Sequence, residues 1–465
     1  MPVESVPGVY HVFQSFEICC VVSSGVVAGG EMKIACILPV YWPAIGGCEL
    51  HTHELVRRLS EKHDVEVITL VSRQEDKYKG GDFWLACVLS APLLPEVYHD
   101  HKASVKKIAL KLLEKRFAAL LLRIQRSSKV SRLFREYASH LFINFYRKKL
   151  LAIIGDCDIV HSIHGDVSWL GYAALKAARE KGVPFVYTAV SHIYRRETVL
   201  ENQYQGAGSV DVSGLPMDTR GSVNEIWLKT CYKADVLLAM TEFEREFFIK
   251  NNINKNTYTT GVGPIISEQP AMDFKEKHGI KDNRVILFLG RINRDKGIEE
   301  ILGAARLVWE KFPDTYFFFM GPTEWGIEEL FEQYRDHRIV TTGAVDIDEK
   351  SAALKACDVL CVPSVTESLG GVYLEAWFFG KPIIGADIPP VREITGNGKG
   401  GVLVKPSPEG IANGILLLLE DPRIGTEMGE WGRQRVLKKY NWQDISVKVE
   451  EIYLKLLSEM GKTSA

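Results

Sequence analysis

Nowhere in the chain do eighteen apolar residues run together, so no segment reads as a membrane-spanning helix. Surplus charge is also missing: 57 Lys and Arg stand against 59 Asp and Glu, and a net charge of -2 gives no global pull toward nucleic acid. The nine cysteines (Cys19, Cys20, Cys36, Cys48, Cys87, Cys157, Cys231, Cys357, Cys361) are too scattered for a disulfide framework and odd in number. They read as buried thiols in a reducing compartment. Cys357 and Cys361 lack the second pair that a zinc site would need. The Gly-x-Gly-x-x-Gly turn after a first strand, which a nicotinamide dehydrogenase uses, is absent. Residues 1–31 hold no Lys or Arg, so the basic start of a signal peptide is missing as well. They are expected to be a disordered or non-native extension, with Met32 as the natural start.

What is present is a rhythm of short apolar runs separated by helical patterns. Lys33–Pro39, Val65–Val71, Ile159–Ile163, Phe185–Ala189 and Val236–Met240 read as strands, and Glu49–Leu59 reads as a helix. After Gly261-Val262-Gly263-Pro264 the rhythm restarts with Val285–Leu289, Tyr316–Met320, Ile339–Thr342, Val359–Val362 and Pro382–Gly385. At 465 residues the chain is too long for one core. The expected architecture is α/β, with two Rossmann-like, doubly wound parallel-sheet domains facing a central cleft. An N-terminal domain spans 32–264, a C-terminal domain 265–441, and a last helix in 442–465 packs back toward the N-terminal domain. Ligands in such sheets sit beyond the carboxyl ends of the strands.

An insertion at 78–150 interrupts the first rhythm. Between Lys102 and Lys149 it carries 14 Lys and Arg against only Glu114 and Glu136. Apolar residues recur at Val105, Ile108, Leu112, Leu120 and Ile124, and again from Val130 through Leu133, Phe134, Tyr137 and Leu141 to Phe145. Basic amphipathic helices of this kind suit an anionic membrane surface, although the same stripe would also serve simple packing.

Two motifs carry the chemistry. In Pro363-Ser364-Val365-Thr366-Glu367-Ser368-Leu369-Gly370-Gly371-Val372-Tyr373-Leu374-Glu375, a strand ends and a helix begins. Glycines there permit close backbone approach, and the free N–H groups of a helix start favour an anion such as diphosphate. Glu367 and Glu375 are placed to accept hydrogen bonds from sugar and ribose hydroxyls. In Gly290-Arg291-Ile292-Asn293-Arg294-Asp295-Lys296-Gly297, Arg291 leaves a strand and Lys296 opens the next helix. Two cations at that end of the sheet can neutralise a leaving diphosphate.

These residues resemble the retaining glycosyltransferases of family 4, which have the GT-B fold. Glu367 and Glu375 meet the family's Glu-x7-Glu signature, Gly290 to Gly297 its Gly-Arg-x4-Lys-Gly, and Gly46-Gly47-Cys48-Glu49 its N-terminal glycine loop. The resemblance covers about 33–455 and the basic insertion is its main departure. It implies that Glu367 contacts the donor sugar, Glu375 the ribose, and Arg291 and Lys296 the diphosphate. Gly46 and Gly47 approach from the other domain, Val345 lies near the base, and Ser368, Leu369, Gly370 and Gly371 line the donor. His192 resembles a family histidine near the donor sugar, though without the usual Thr-x-His spacing.

The resemblance further implies no cofactor and no metal, a UDP-sugar or GDP-sugar donor, and retention of anomeric configuration, with the leaving phosphate deprotonating the acceptor. A glycan or lipid-linked acceptor is expected, as is a cytoplasmic protein peripheral to the inner face of a membrane. The alternatives are a catalytically silent nucleotide-sugar-binding scaffold and a sugar-nucleotide epimerase of the same fold. His161 and His164 are expected to line the acceptor side. His51 and His53 point to different faces of a helix. Asp156-Cys157-Asp158 precedes its strand and so lies at the wrong end for a ligand, and Asp346-Ile347-Asp348 is expected to cap a helix.

Overall fold

The computed structural model describes residues 31–41, 46–71, 96–126, 132–164, 169–190, 225–280, 282–324 and 326–461. Residues 1–30, 78–95 and His192 lie outside these.

In the first half, β1 (Lys33–Val40), β2 (Asp64–Val71), β3 (Glu96–Asp100), β4 (Ala103–Lys107), β5 (Ile159–His164), β6 (Phe185–Ala189), β7 (Val236–Ala239) and β8 (Thr257–Thr259) form one sheet. Its order is β3-β4-β2-β1-β5-β6-β7-β8, parallel except for the antiparallel β3–β4 pair. The helices are α1 (Gly47–Leu59), α2 (Leu112–Arg126), α3 (Arg132–Ile153), α4 (Trp169–Lys181), α5 (Glu225–Lys233) and α6 (Glu242–Lys250). In the second half, β9 (Arg284–Leu289), β10 (Thr315–Met320), β11 (Ile339–Gly343), β12 (Val359–Val362), β13 (Ile383–Ala386) and β14 (Gly401–Val404) form a parallel sheet ordered β11-β10-β9-β12-β13-β14. Around it lie α7 (Ile298–Trp309), α8 (Ile347–Ala356), α9 (Gly371–Phe378), α10 (Pro389–Thr395), α11 (Pro408–Glu420) and α12 (Pro422–Lys439).

Strands such as β6 and β12 are buried along their whole length, as strands covered on both faces must be. The stripe Ile298, Ile301, Leu302, Ala305 and Val308 buries one face of α7 against its sheet. In the second sheet the order reverses between β9 and β12. The crevice at such a reversal is where α/β sheets receive ligands.

The insertion departs from its reading as a helical unit. Residues 103–107 are strand β4, which pairs with β2, and Val105 and Ile108 are fully buried core residues. After β4 the next described helix begins at Leu112, so the apolar series counted from Val105 mixes a two-residue with a 3.6-residue period. From Leu112 onward the series divides again. Ala118, Leu121, Phe142 and Tyr146 enter the core, whereas Leu112, Leu113, Phe117, Leu120, Phe134 and Tyr137 are exposed.

The last helix, α13 (Trp442–Glu459), crosses back to the N-terminal domain. Its Val449, Ile452, Tyr453, Leu456 and Leu457 join Leu55, Val56 and Leu59 of α1 in one core. At its centre the Tyr453 hydroxyl meets His161 Nδ1 at 2.6 Å, and His161 Nε2 meets the Thr188 hydroxyl at 2.7 Å. His161 is therefore a buried core residue and does not line an acceptor site. Burial, with His51 nearby, lowers its pKa to about 3, so the ring stays neutral. His164 closes β5, where its backbone is in register with Ala189 of β6.

Tyr453→Phe should leave one nitrogen of His161 buried without a partner. The expected loss is about 1–3 kcal/mol, read by urea denaturation. Equal stability of the two proteins would show that the hydroxyl contributes nothing to holding α13.

Candidate functional site

Two loops leave the second sheet at its order reversal, and one glycine lets them touch. Gly297 has φ 76°, and a Cβ there would lie 2.9 Å from Pro363 Cγ and 3.2 Å from the Pro363 carbonyl oxygen. The contact brings Lys296 to the loop after β12. Its Nζ lies 2.5 Å from Glu367 Oε1 and donates to the Thr366 carbonyl at 3.3 Å. Arg291 leaves β9 toward solvent, 63% exposed, with Glu324 at 3.6 Å.

The chain then enters α9 through Gly370, which has φ 82° and caps the helix without a side-chain acceptor. A Cβ at Gly370 would lie 2.5 Å from the Tyr373 ring, whereas one at Gly371 would meet only Val262 Cγ1, at 3.9 Å. The loop that Lys296 contacts at Thr366 and Glu367 thus runs on into the free N–H groups at the start of α9, and a cation and a helix terminus on one loop suit an anion. Leu369 is buried in the core, which leaves its main chain to contribute. The Ser368 hydroxyl donates to Glu244 of α6, in the other domain.

One turn into α9, Glu375 is 6% exposed. Its Oε1 receives Lys350 Nζ at 2.7 Å and the Ile265 N–H at 3.4 Å, whereas Oε2 is buried without a hydrogen-bond partner. A buried carboxylate oxygen of this kind is costly unless something donates to it. Lys350 escaped the reading of the sequence because it sits on α8, where a lysine looks like ordinary helix surface. Val345, just after β11, is partly buried against the same core.

Across the cleft, Gly46 and Gly47 open α1. Gly47 has open space around its Cα, whereas a Cβ on Gly46 would meet the Glu49 carboxylate at 2.2 Å. Burial pushes the Glu49 carboxyl up, while its own backbone N–H and the charge of Arg291 pull the other way. Glu49 and Arg291 are thus within electrostatic reach across the two domains. His192 lies outside the described residues.

The two Asp-x-Asp pairs serve structure. Asp346 caps α8 through the Glu349 N–H at 2.8 Å, and Asp348 receives the Ala271 N–H at 3.0 Å. Asp158 receives the Lys33 N–H at 2.7 Å, at the opposite end of the first sheet. His51 and His53 do diverge. His51 is buried with its ring 5.4 Å from that of Trp442, and His53 lies 2.8 Å from Asp100, which also accepts the Tyr41 hydroxyl at 2.6 Å. Among the described residues, His53, Asp100 and His101 are the one group with metal-ligand spacing, and Asp100 already has two partners there. Burial pushes the Cys357 thiol up to about 12 and raises that of Cys361 further.

Comparison with known proteins bears on both halves. Residues 271–435 match the family described as glycosyl transferases group 1, and residues 45–259 match glycosyltransferase family 4. A phosphatidyl-myo-inositol mannosyltransferase of Mycolicibacterium smegmatis is 29% identical over 178 residues, 37% of this chain and 45% of that one. The chain spans about half the length of the curated relatives it matches. The sucrose-phosphate synthase of Thermosynechococcus elongatus superposes with a TM-score of 0.66 at 19% identity, over 92% of this chain and 100% of that one. Anabaena HepE, solved in complex with UDP-glucose, superposes with a TM-score of 0.61 at 15% identity, over 90% of this chain and 99% of that one.

The two glycines that open α9 should respond differently to substitution. Gly370→Ala forces a left-handed residue against the Tyr373 ring, at a cost of about 1–2 kcal/mol for the backbone alone. Gly371→Ala should fold almost as the parent does. Thermal melting of the two variants checks this, and equal melting points would show that the αL cap is not required.

Proposed function

The chain belongs to family 4 of the glycosyltransferases and has their GT-B fold, and from that premise we propose that it moves a glycosyl group from a nucleoside-diphosphate sugar to an acceptor. The observation that carries the reading is the pairing of Lys296 with Glu367 beyond the carboxyl ends of the central strands β9 and β12, on the loop that opens α9, with the partnerless oxygen of Glu375 one turn into that helix. A nucleotide sugar offers a diphosphate for Lys296 and the start of α9, sugar hydroxyls for Glu367 and ribose hydroxyls for Glu375.

Arg291 and Lys296 would act on the charge that grows on the leaving diphosphate, where a fixed cation lowers the barrier more than it strengthens ground-state binding. Donor binding must share the Lys296 ammonium, since two of its three hydrogens already go to Glu367 and Thr366. Retention then follows if the departing phosphate oxygen takes the acceptor proton on the face it leaves. His192 would stand near the donor sugar, and neither metal nor cofactor is required. A UDP-sugar is the favoured donor, since a neighbour of the same fold was solved with UDP-glucose, and GDP-mannose remains compatible.

The acceptor is proposed to be lipid-linked and presented at an anionic surface. Eleven large hydrophobic side chains are exposed among the described residues, and six of them, from Leu112 to Tyr137, lie on the basic pair α2 and α3. Among the described residues no helix is long and apolar enough to cross a membrane. Attachment would therefore be interfacial, with apolar side chains entering the headgroup boundary and cations meeting anionic lipid.

Lys296→Ala and Arg291→Ala should each lower transfer by about a hundredfold, the scale of losing one charge-stabilising donor, while the melting temperature holds. A panel of UDP- and GDP-sugars with EDTA present checks both claims. Near-parental turnover in both variants would remove the diphosphate clamp, and full loss on chelation would remove the metal-free mechanism.

Leu113→Glu combined with Leu120→Glu should release the protein from phosphatidylserine-containing liposomes in sedimentation. Binding of the parent should weaken with salt, because attraction between charges is screened within a Debye length. If the parent stays in the supernatant at low salt, the surface reading and its lipid-linked acceptor fall together.

A further inference from the structure

Helix α6 ties the two domains in both directions. Glu244 belongs to the N-terminal domain and is 1% exposed, yet its Oε1 accepts the hydroxyl of Ser368 in the donor-side loop. Its Oε2 accepts the Met240 N–H at 2.7 Å, and its own N–H donates to Thr241 Oγ1 at 3.2 Å, which fixes the side chain within a capping turn. Contact also runs the other way. Glu393 of α10 accepts the N–H groups of Glu242 at 3.0 Å and Phe243 at 2.7 Å, so a carboxylate of the C-terminal domain caps a helix of the N-terminal one.

We propose that Glu244 is a positioning residue for donor binding: through Ser368 it sets the loop that carries Glu367 and the α9 N-terminus, and it links that setting to the joining of the two domains. The inference rests on the nucleotide-sugar reading above and adds to it a residue that does not touch the donor. Ser368 is the neighbour of Glu367, and Gly370 and Gly371 follow within three residues. A shift at Ser368 therefore moves both the sugar-side carboxylate and the phosphate-side N–H groups.

The tie also has a pH sense. Burial pushes the Glu244 carboxyl up to about 7, against the pull of its hydrogen bonds from Ser368, Met240 and Thr241, and the charge of Glu393 adds to the rise. Of the other charged groups around it, Glu242 pairs with Arg245 on α6 and Glu367 with Lys296 beyond Ser368, while Arg435 donates to the backbone carbonyl of Glu393. When the domains separate and Glu244 is wetted, its carboxyl returns toward the usual carboxylate range. The joined state therefore holds one proton more, and joining is favoured at low pH and weakens as pH rises through about 7. Glutamine imitates the protonated acid: its oxygen accepts from Met240 and its amide donates to Ser368.

The test compares the parent with Glu244→Gln, Glu244→Ala and Ser368→Ala, measuring donor KM and kcat across neutral pH. The parent's donor KM should rise several-fold as pH passes about 7. Glu244→Gln should keep the low-pH KM throughout. The two alanine variants should raise KM about tenfold at every pH, the scale of one buried hydrogen bond, with kcat less affected. If Glu244→Ala fails to fold, Ser368→Ala poses the same question from the other domain. A pH step retained in Glu244→Gln, or an unchanged KM in Ser368→Ala, overturns the proposal. Small-angle scattering over the same range reads the tie without a donor. The parent should expand with rising pH and the glutamine variant should not, and equal behaviour overturns the proposal on its own. A parent that expands as expected but binds no nucleotide sugar would instead sink the transferase reading and leave the tie standing.

Discussion

The contact of Gly297 with Pro363 governs the rest of the site. Two loops that leave neighbouring strands β9 and β12 would ordinarily diverge around their own side chains. Here the missing Cβ and the positive φ of Gly297 let one backbone lie against the other. Only then does Lys296 reach both Thr366 and Glu367, on the loop that leads into α9. The ion pair is a consequence of that packing. A half-buried Lys–Glu pair by itself contributes little net stability, since desolvation offsets much of the attraction. Its value lies in fixing where the charges stand.

The same economy explains which parts of the molecule can be read from sequence. Strands buried on both faces announce themselves as short apolar runs, and β1, β2, β5, β6, β7, β9, β10, β12 and β13 begin and end within a residue or two of where those runs do, as does the half-covered edge strand β11. Both loop motifs are contiguous, and glycines, a cation and carboxylates at strand ends point to an anion with hydroxyls attached. Strands β3, β4, β8 and β14, at or next to the edges of their sheets, carry weaker signals, because half-covered strands admit polar residues. Val105 and Ile108 illustrate the confusion: their spacing fits a helix, and only the pairing of β4 with β2 shows that Val105 is strand core and that Ile108 is a buried residue just past the strand.

What stayed hidden is long-range and polar. His161 meets a tyrosine 292 positions away, and Ser368 meets a glutamate 124 positions away. The Glu375 oxygen that receives Lys350 also takes a backbone N–H from 110 positions away. No periodicity encodes such partners. A histidine flanking a strand end looks like a site residue and proves to be core, whereas a glutamate in the first turn of a helix looks like a cap and also reaches the other domain. Burial alone separates the two outcomes, and burial of polar groups is what a linear pattern reports worst.

These hidden contacts bear on how the two domains are joined. Tyr453 brings the end of the chain into the first domain's core, Glu393 caps α6 from the second domain, and Glu244 reaches back to the second domain's loop. The last two cross directly between the domains, and the first anchors the helix that returns from the second domain to the first. A hydrophobic seam there would bind the domains strongly but without register, because apolar contact is non-directional. Hydrogen bonds to buried carboxylates and imidazole fix register instead, since any misplacement leaves a buried polar atom unsatisfied. On the proposed function, in which Gly47 and Arg291 face one diphosphate, the cleft needs register more than strength, and its polar joints supply it.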